Sequence, residues 1–366
     1  MALTAAAMAA PTLRIGALVF DNDFRHPVVL AKEAATLDFL TGGRLELGIG
    51  AGWWLNDYQR SGIPYDPSEV RVDRFEEALA TYQEIGHRRG EADAIRALGH
   101  LARVLGNYEL ATKNYQKALQ IYEDIGYRWG QAGCIEGLGD LDRAHGRYEE
   151  ASAHYGVARE LSRAVGDRKG EASATRDLGD SAWMMKRYQP ASECYAKARQ
   201  IAHEINDEWG EAAFIRDQGD AAWMMGHYDQ AQDYYEEALH LSQHIRDRWG
   251  EADTICRLGN AAWKLGKVAD IERLYRKALF VYREIGARHG EAECLTILSK
   301  LHASDDGKHT DNLDSVAEHQ QAARILESIG LIEADNDSDA TSIDDLITST
   351  YARLGKRGYR PEHRRL

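Results

Sequence analysis

Several features that define large classes of proteins are missing from this chain of 366 residues. No stretch approaches the roughly 18 uncharged apolar residues of a membrane span, so we expect no membrane contact. The apolar start, residues 1–10, is short and lacks the basic region of a signal peptide. The four cysteines include no Cys-x-x-Cys pair, which predicts free thiols in a reducing, cytoplasmic location.

A basic surface is also missing, because the charge balance of the chain is acidic. Lys and Arg number 45, Asp and Glu number 59, and the formal net charge is -14. General nucleic-acid binding needs a basic face, so we expect no nucleic-acid partner.

Sequence motifs for catalysis and for metal or cofactor binding are scarce. The chain has no GxxxxGK(S/T) phosphate loop and no HExxH zinc motif, and Gly48 to Gly52 does not match the GxGxxG fingerprint. His240 and His244 stand four residues apart, a spacing at which two imidazoles on a helix could share a metal. No third ligand is evident, so we interpret the pair as part of a solvated helix face. The sequence predicts no catalytic residue, no cofactor-binding residue and no metal ligand.

What the chain has in abundance is repetition with a period of 40 residues. Columns of glycine, tyrosine and alanine keep this spacing along most of its length. Their members are Gly90, Gly130, Gly170, Gly210, Gly250 and Gly290; Gly99, Gly139, Gly179, Gly219 and Gly259; Tyr115, Tyr155, Tyr195, Tyr235 and Tyr275; and Ala118, Ala158, Ala198, Ala238 and Ala278. Such a period predicts a repeat architecture, in which each unit packs against its neighbours.

Each unit is predicted to contain two helices. In the third unit, small and apolar residues from Gly170 to Met185 recur at steps of three and four, as on one face of a helix. A second pattern of this kind runs from Tyr188 to about Ile205, and Asn206 follows as a helix stop. We therefore predict a mainly α fold, an α-solenoid of stacked helix pairs.

The residues at the recurring positions resemble a known repeat family. In the third unit they are Leu178, Gly179, Tyr188, Ala191, Tyr195 and Ala198. This pattern resembles the tetratricopeptide repeat, and the resemblance covers residues 76–330, or about six helix pairs. It implies a right-handed superhelix whose concave groove binds a protein or peptide, as a scaffold without catalytic chemistry.

The resemblance also implies which side chains face a ligand. In the first helices of repeats three to five they are Arg176, Asp180, Trp183, Met184, Arg216, Asp220, Trp223, Met224, Asn260 and Trp263. Trp, Arg and Met are frequent anchors in recognition surfaces, which favours a groove for an extended or helical peptide. The alternative is that the Trp rings pack between repeats and the Arg and Asp residues pair with each other. Asp180 and Asp220 stand where chaperone-type repeats have asparagine, and they would repel a C-terminal carboxylate.

The first 75 residues have a different character. A strand (13–20), a helix (28–40) and a second strand (44–50) predict a β-α-β unit with parallel strands. The stretch from His26 to Trp53 resembles the luciferase-like monooxygenases, which use flavin or deazaflavin on a (β/α)8 barrel. The resemblance covers residues 12–79, whereas such a barrel needs about 250 residues. We therefore interpret the segment as a remnant or a fusion piece that holds no cofactor.

These patterns divide the chain into three parts and leave three functions open. The parts are the luciferase-like fragment (1–75), the repeat array (76–330), and an acidic linker, short helix and basic tail (331–366). The leading interpretation is the non-catalytic scaffold. One alternative is a flavin- or deazaflavin-dependent oxidoreductase that needs the rest of the barrel from another chain. The other is a self-assembling structural protein, a homo-oligomer joined through sheet edges or terminal repeats.

Overall fold

The computed structural model describes most of the repeat array and parts of the segments on either side. The described residues are 15–21, 32–33, 36–37, 39–41, 45–50, 76–77, 79–304, 317–318, 320–322 and 324–325. The predicted acidic linker, short helix and basic tail, residues 331–366, lie outside them. Among the helices of the described residues, none combines the length and apolar character needed to cross a membrane.

Residues 88–304 form eleven helices of equal length. They are α1 (Arg88–Val104), α2 (Tyr108–Asp124), α3 (Arg128–Ala144), α4 (Tyr148–Ala164), α5 (Arg168–Met184), α6 (Tyr188–Glu204), α7 (Glu208–Met224), α8 (Tyr228–His244), α9 (Arg248–Lys264), α10 (Val268–Glu284) and α11 (Arg288–Ser304). Each has 17 residues, and a short turn follows, so that one pair fills the 40-residue period. The pairs α1–α2 to α9–α10 are repeats one to five. The predicted helix-pair fold is confirmed.

One residue in each turn between these helices has a positive φ angle. It is usually a glycine, such as Gly106 with φ 77°, but Lys186, Asn206 and Arg246 adopt the same conformation. A left-handed residue at this place closes the last helical turn and redirects the chain. Asn206 therefore ends its helix as the sequence predicted.

The recurring tyrosines lie buried against the recurring glycines of the first helix. In repeat three, a Cβ atom at Gly179 would lie 2.6 Å from the ring of Tyr195, which is too close for a side chain. The Tyr195 hydroxyl donates a hydrogen bond to Oδ1 of Asp180 at 2.8 Å. The equivalent ring contacts are Gly99 with Tyr115, Gly139 with Tyr155, Gly219 with Tyr235, and Gly259 with Tyr275. The glycine column is thus required by packing.

The N-terminal segment contains a parallel pair of strands. Strand β1 (Ile15–Asp21) pairs with β2 (Leu45–Gly50), and the register is irregular between Ala17 and Phe20. Residues 32–33, 36–37 and 39–41 are helical, so the predicted β-α-β order is confirmed.

The chain divides into two compact units, Met1–Asp167 and Arg168–Leu366. The first contains the strands with repeats one and two, and β2 lies against α1 within it. The second contains repeats three to five and α11. The division between residues 75 and 76 that the sequence suggested stays a prediction.

We expect Gly179→Ala to destabilise the protein, because the added methyl group would overlap the buried ring of Tyr195. Overpacking of this kind costs about 1–3 kcal/mol of unfolding free energy. Urea unfolding followed by far-ultraviolet circular dichroism measures the change.

Gly156→Ala is the matched control for this prediction. Gly156 lies within α4, and a Cβ added there would meet no atom within 4 Å. Alanine should stabilise the helix by about 0.5–1 kcal/mol. Equal effects of the two substitutions would contradict the steric role of Gly179.

Candidate functional site

The predicted groove residues lie on α5, α7 and α9, the first helices of repeats three to five. Half of them are buried, and we call these the supporting set: Trp183, Arg216, Asp220, Trp223 and Asn260. The other half are partly exposed, and we call these the accessible set: Arg176, Asp180, Met184, Met224 and Trp263. That a ligand contacts them stays a prediction.

Two of the three tryptophans pack between consecutive repeats. Trp183 clusters with Ala221 of repeat four, and Trp223 clusters with Leu258 of repeat five. Their exposed fractions are only 9% and 5%. Trp263 is only partly buried against the apolar clusters. For Trp183 and Trp223, this arrangement is the inter-repeat packing that the sequence left as the alternative.

The aspartates and the asparagine of the predicted groove accept hydrogen bonds from tyrosines of the second helices. Tyr235 donates to Oδ1 of Asp220 at 2.9 Å, as Tyr195 does to Asp180, and Tyr275 donates to Asn260. A buried hydroxyl without a partner costs about 1–3 kcal/mol, so an acceptor is needed beside each glycine. This requirement explains why the column contains Asp and Asn.

The charged side chains of the site pair across neighbouring repeats. Arg176 Nε donates to Asp217 Oδ2 of repeat four at 2.8 Å. Arg257 of repeat five reaches back to Asp220, with Nε 2.8 Å from Oδ1. Asp253 pairs with both Arg257 and Arg216. We call the charged residues joined in this way the charge ladder: Arg176, Asp217, Arg216, Asp220, Asp253 and Arg257.

Arg216 occupies space that a tyrosine fills elsewhere in the array. Its Nη1 atom lies 3.5 Å from Oγ of Ser242 and 3.8 Å from Oδ2 of Asp247, and its Nε lies 3.7 Å from Asp253. Repeat one has the larger Tyr122 at the position of Ser242. The serine therefore leaves room for the guanidinium inside repeat four.

Burial changes the acid–base behaviour of the charge ladder. Loss of water raises the pKa of the Asp217 carboxyl to about 7, from an ordinary 3.8, and Asp180 and Asp220 add to this while Arg176 opposes it. Burial likewise raises the pKa of Asp220, against the effect of Arg257. The site therefore contains carboxyl groups that take up protons more readily than exposed ones.

Sequence reasoning missed Asp217 and Arg257, although their column carried a signal. The equivalent positions are Ala97, Gly137, Asp177, Asp217 and Arg257. A column that changes from small to acidic to basic is unusual in a regular repeat. The partners could not be identified, because Arg176 and Asp217 are 41 residues apart and Arg257 and Asp220 are 37 apart.

We expect the stability of this protein to fall between pH 4 and pH 7 partly because of Asp217. The folded carboxyl holds its proton up to about pH 7, whereas the unfolded one loses it near 3.8, so rising pH favours unfolding in this window. One such group contributes at most about 1.4 kcal/mol per pH unit. Asp217→Asn should flatten the dependence in urea midpoints measured at pH 5 and pH 8. An unchanged slope would show that Asp217 is ionised throughout.

Family models match the N-terminal segment and part of the repeat array. A family model for the luciferase-like monooxygenase matches residues 1–99. Models for the tetratricopeptide repeat match residues 93–125, 131–204 and 174–243.

The chain also matches curated relatives. It is 46% identical over 81 residues to the phthiodiolone/phenolphthiodiolone dimycocerosates ketoreductase of Mycobacterium tuberculosis. The match covers 22% of this chain and 20% of the ketoreductase. The chain thus spans about a fifth of the length of the curated relatives it matches.

Solved structures share the helical fold at low sequence identity. Aspartyl phosphate phosphatase F from Bacillus subtilis has a TM-score of 0.57 and 11% identity, covering 87% of this chain and 76% of that one. A Rap protein complexed with competence and sporulation factor has a TM-score of 0.55 and 12% identity, covering 90% of each chain. The likeness concerns the fold alone. The chain therefore carries tetratricopeptide repeats behind an N-terminal segment that resembles the luciferase-like monooxygenases.

Proposed function

We propose that the repeat array is a non-catalytic scaffold that binds a protein or peptide along the first helices of repeats three to five. The observation that carries this proposal is the accessible set. Its apolar and charged side chains are partly exposed on the first helices of three consecutive repeats. The Rap protein of similar fold is complexed with competence and sporulation factor, which supports a binding role for an array of this kind.

The chemistry of the site favours a partner with apolar side chains. Met184 and Met224 occupy the same position in repeats three and four, and each lies at the edge of a tryptophan cluster. Methionine adapts its shape to different apolar groups. Asp180 and Asp220 already accept hydrogen bonds from tyrosines. We therefore expect apolar contacts, more than ion pairs, to supply the affinity.

The buried tryptophans act in this proposal as supports. Trp183 and Trp223 hold the first helices of successive repeats together, so their removal would change stability and binding at once. The two methionines are better probes, because they are partly exposed and lie outside the charge ladder.

Peptide selection tests the proposal. Full-length protein is panned against a random peptide library on phage, and the affinity of selected peptides is measured by fluorescence polarisation. Met224→Glu and Met184→Glu should each weaken binding about tenfold or more, which corresponds to about 1.4 kcal/mol.

Lys197→Glu is the control, because Lys197 is exposed on the second helix α6. Circular dichroism verifies that every variant keeps its helix content. Peptides that bind the methionine variants as well as the parent protein would refute the groove, as would a selection that enriches nothing.

The second candidate function is an oxidoreductase of the luciferase-like class. The 46% identity to a ketoreductase favours it, and so does the parallel β1–β2 pair. Sites in (β/α)8 barrels are assembled from loops after several of eight strands, and the described residues contain two strands.

Fluorescence titration of the full-length protein with flavin mononucleotide and with deazaflavin coenzyme separates the two functions. We expect no saturable binding, because a single strand–helix–strand unit offers too few loops to enclose a cofactor. Saturable binding at micromolar concentration would favour the oxidoreductase.

A further inference from the structure

A cleft on repeat four brings together side chains that the proposed scaffold function does not use. It has a volume of about 460 Å³ and lies between α6, α7 and α8. Its ionisable lining consists of three histidines and three glutamates: His203, Glu208, Glu211, Glu237, His240 and His244. None of these residues belongs to the predicted groove.

The same place in repeats one, three and five is occupied by an arginine of the chain itself. In repeat three, Arg168 Nη1 lies 2.5 Å from Glu171, and its Nη2 pairs with Glu204 of α6. The guanidinium thus stands between two carboxylates. Equivalent contacts are Arg248 with Glu251 and Glu284, and Arg88 with Glu91 and Asp124.

Repeat four lacks both the arginine and the acidic residue of the second helix that pairs with it. The arginine is replaced by Glu208, and the acidic residue of the second helix is replaced by His244, whose Nε2 lies 3.9 Å from Oε1 of Glu208. Glu211 keeps the place of Glu171. The position that a guanidinium fills elsewhere is therefore lined by carboxylates and an imidazole, which together suit an external cation.

Two further histidines, His203 and His240, line this cleft. His240 lies one helical turn before His244 on α8, where repeat three has Gln200. His203 Nδ1 lies 3.2 Å from Oε2 of Glu211. A histidine held by a carboxylate at one ring nitrogen keeps the other for a metal, and this arrangement is common around bound metal ions.

We propose that this cleft binds a divalent transition-metal ion of the Zn²⁺ or Ni²⁺ type. The imidazoles of His203, His240 and His244 are the nitrogen ligands, Glu208 supplies an oxygen, and Glu211 positions His203. Imidazole with carboxylate is a ligand set that suits these metals. The bound ion would join α6 to α7 and α8, and so connect repeat three to repeat four.

The ligands must move to close the site. In the part of the chain that the structure describes, no three such groups already converge on one point. The side chains of His203 and His244 are 77% and 73% exposed, so their rings can turn into the cleft without disturbing the core. The competing cation is Arg199, which pairs with Glu237 and lies 3.9 Å from Glu211. For this reason Glu237 is left out of the ligand set.

Zinc chloride and nickel chloride are titrated into metal-free, full-length protein by isothermal titration calorimetry, and thermal unfolding is recorded with and without metal. We expect one ion per chain and a higher melting temperature in its presence, because only the folded chain brings the ligands together.

His240→Gln and His244→Glu should each weaken binding about tenfold or more. Both place in repeat four the residue that repeat three has naturally, Gln200 or Glu204, so the helix pair should still fold.

The control is His289→Gln on α11, where the imidazole lies 3.3 Å from Glu293 and away from the cleft residues. This substitution should leave the affinity unchanged. Glu211→Gln should weaken binding about 10- to 100-fold although Glu211 is not a ligand. The proposal is overturned if no metal binds, or if His240→Gln and His244→Glu change the affinity no more than the control does.

Discussion

A tyrosine ring laid across a glycine is the contact on which the rest of each repeat depends. At Gly99, Gly139, Gly179 and Gly259, an added Cβ would lie 2.6–2.9 Å from the ring of the partner tyrosine. The close approach of the two helices follows from the missing side chain, and it buries the tyrosine hydroxyl. The residue after the glycine must then accept a hydrogen bond. In repeats two to five this residue is Asp or Asn, and in repeat one it is His100.

The consequence for function is that several side chains of the predicted groove make contacts within the repeat array itself. Asp180 and Asp220 accept hydrogen bonds from tyrosines. Arg176 pairs with Asp217 of the following repeat, and Arg257 pairs with Asp220 of the preceding one. Buried ion pairs give little net stability, because removing both charges from water costs about as much as their attraction returns. They do penalise any other stacking of the repeats, since a shift would leave a buried charge without its partner. The ladder thus fixes how repeats three to five stack and which side chains stay accessible.

Repeat four departs from its neighbours at several positions. It replaces an arginine by Glu208, places His240 and His244 around a cleft that His203 of repeat three also lines, and encloses Arg216 where another repeat has a tyrosine. The regular helices keep their length and spacing through these changes. A repeat scaffold can therefore carry local chemistry on one unit, because each unit contacts only its neighbours.

The sequence by itself determined the period, the helix pairs and the turns, since these depend on local spacing and on residues such as Asn206 that end a helix. It also determined the parallel strand–helix–strand unit near the N-terminus, because a helix between two strands of one sheet returns the chain to the end where the first strand began. Only the tertiary structure decided that Trp183 and Trp223 are buried while Met184 and Met224 are partly exposed. It alone placed His203 and His244 in the lining of one cleft, because the placement of residues some 40 positions apart depends on how one repeat stacks on the next.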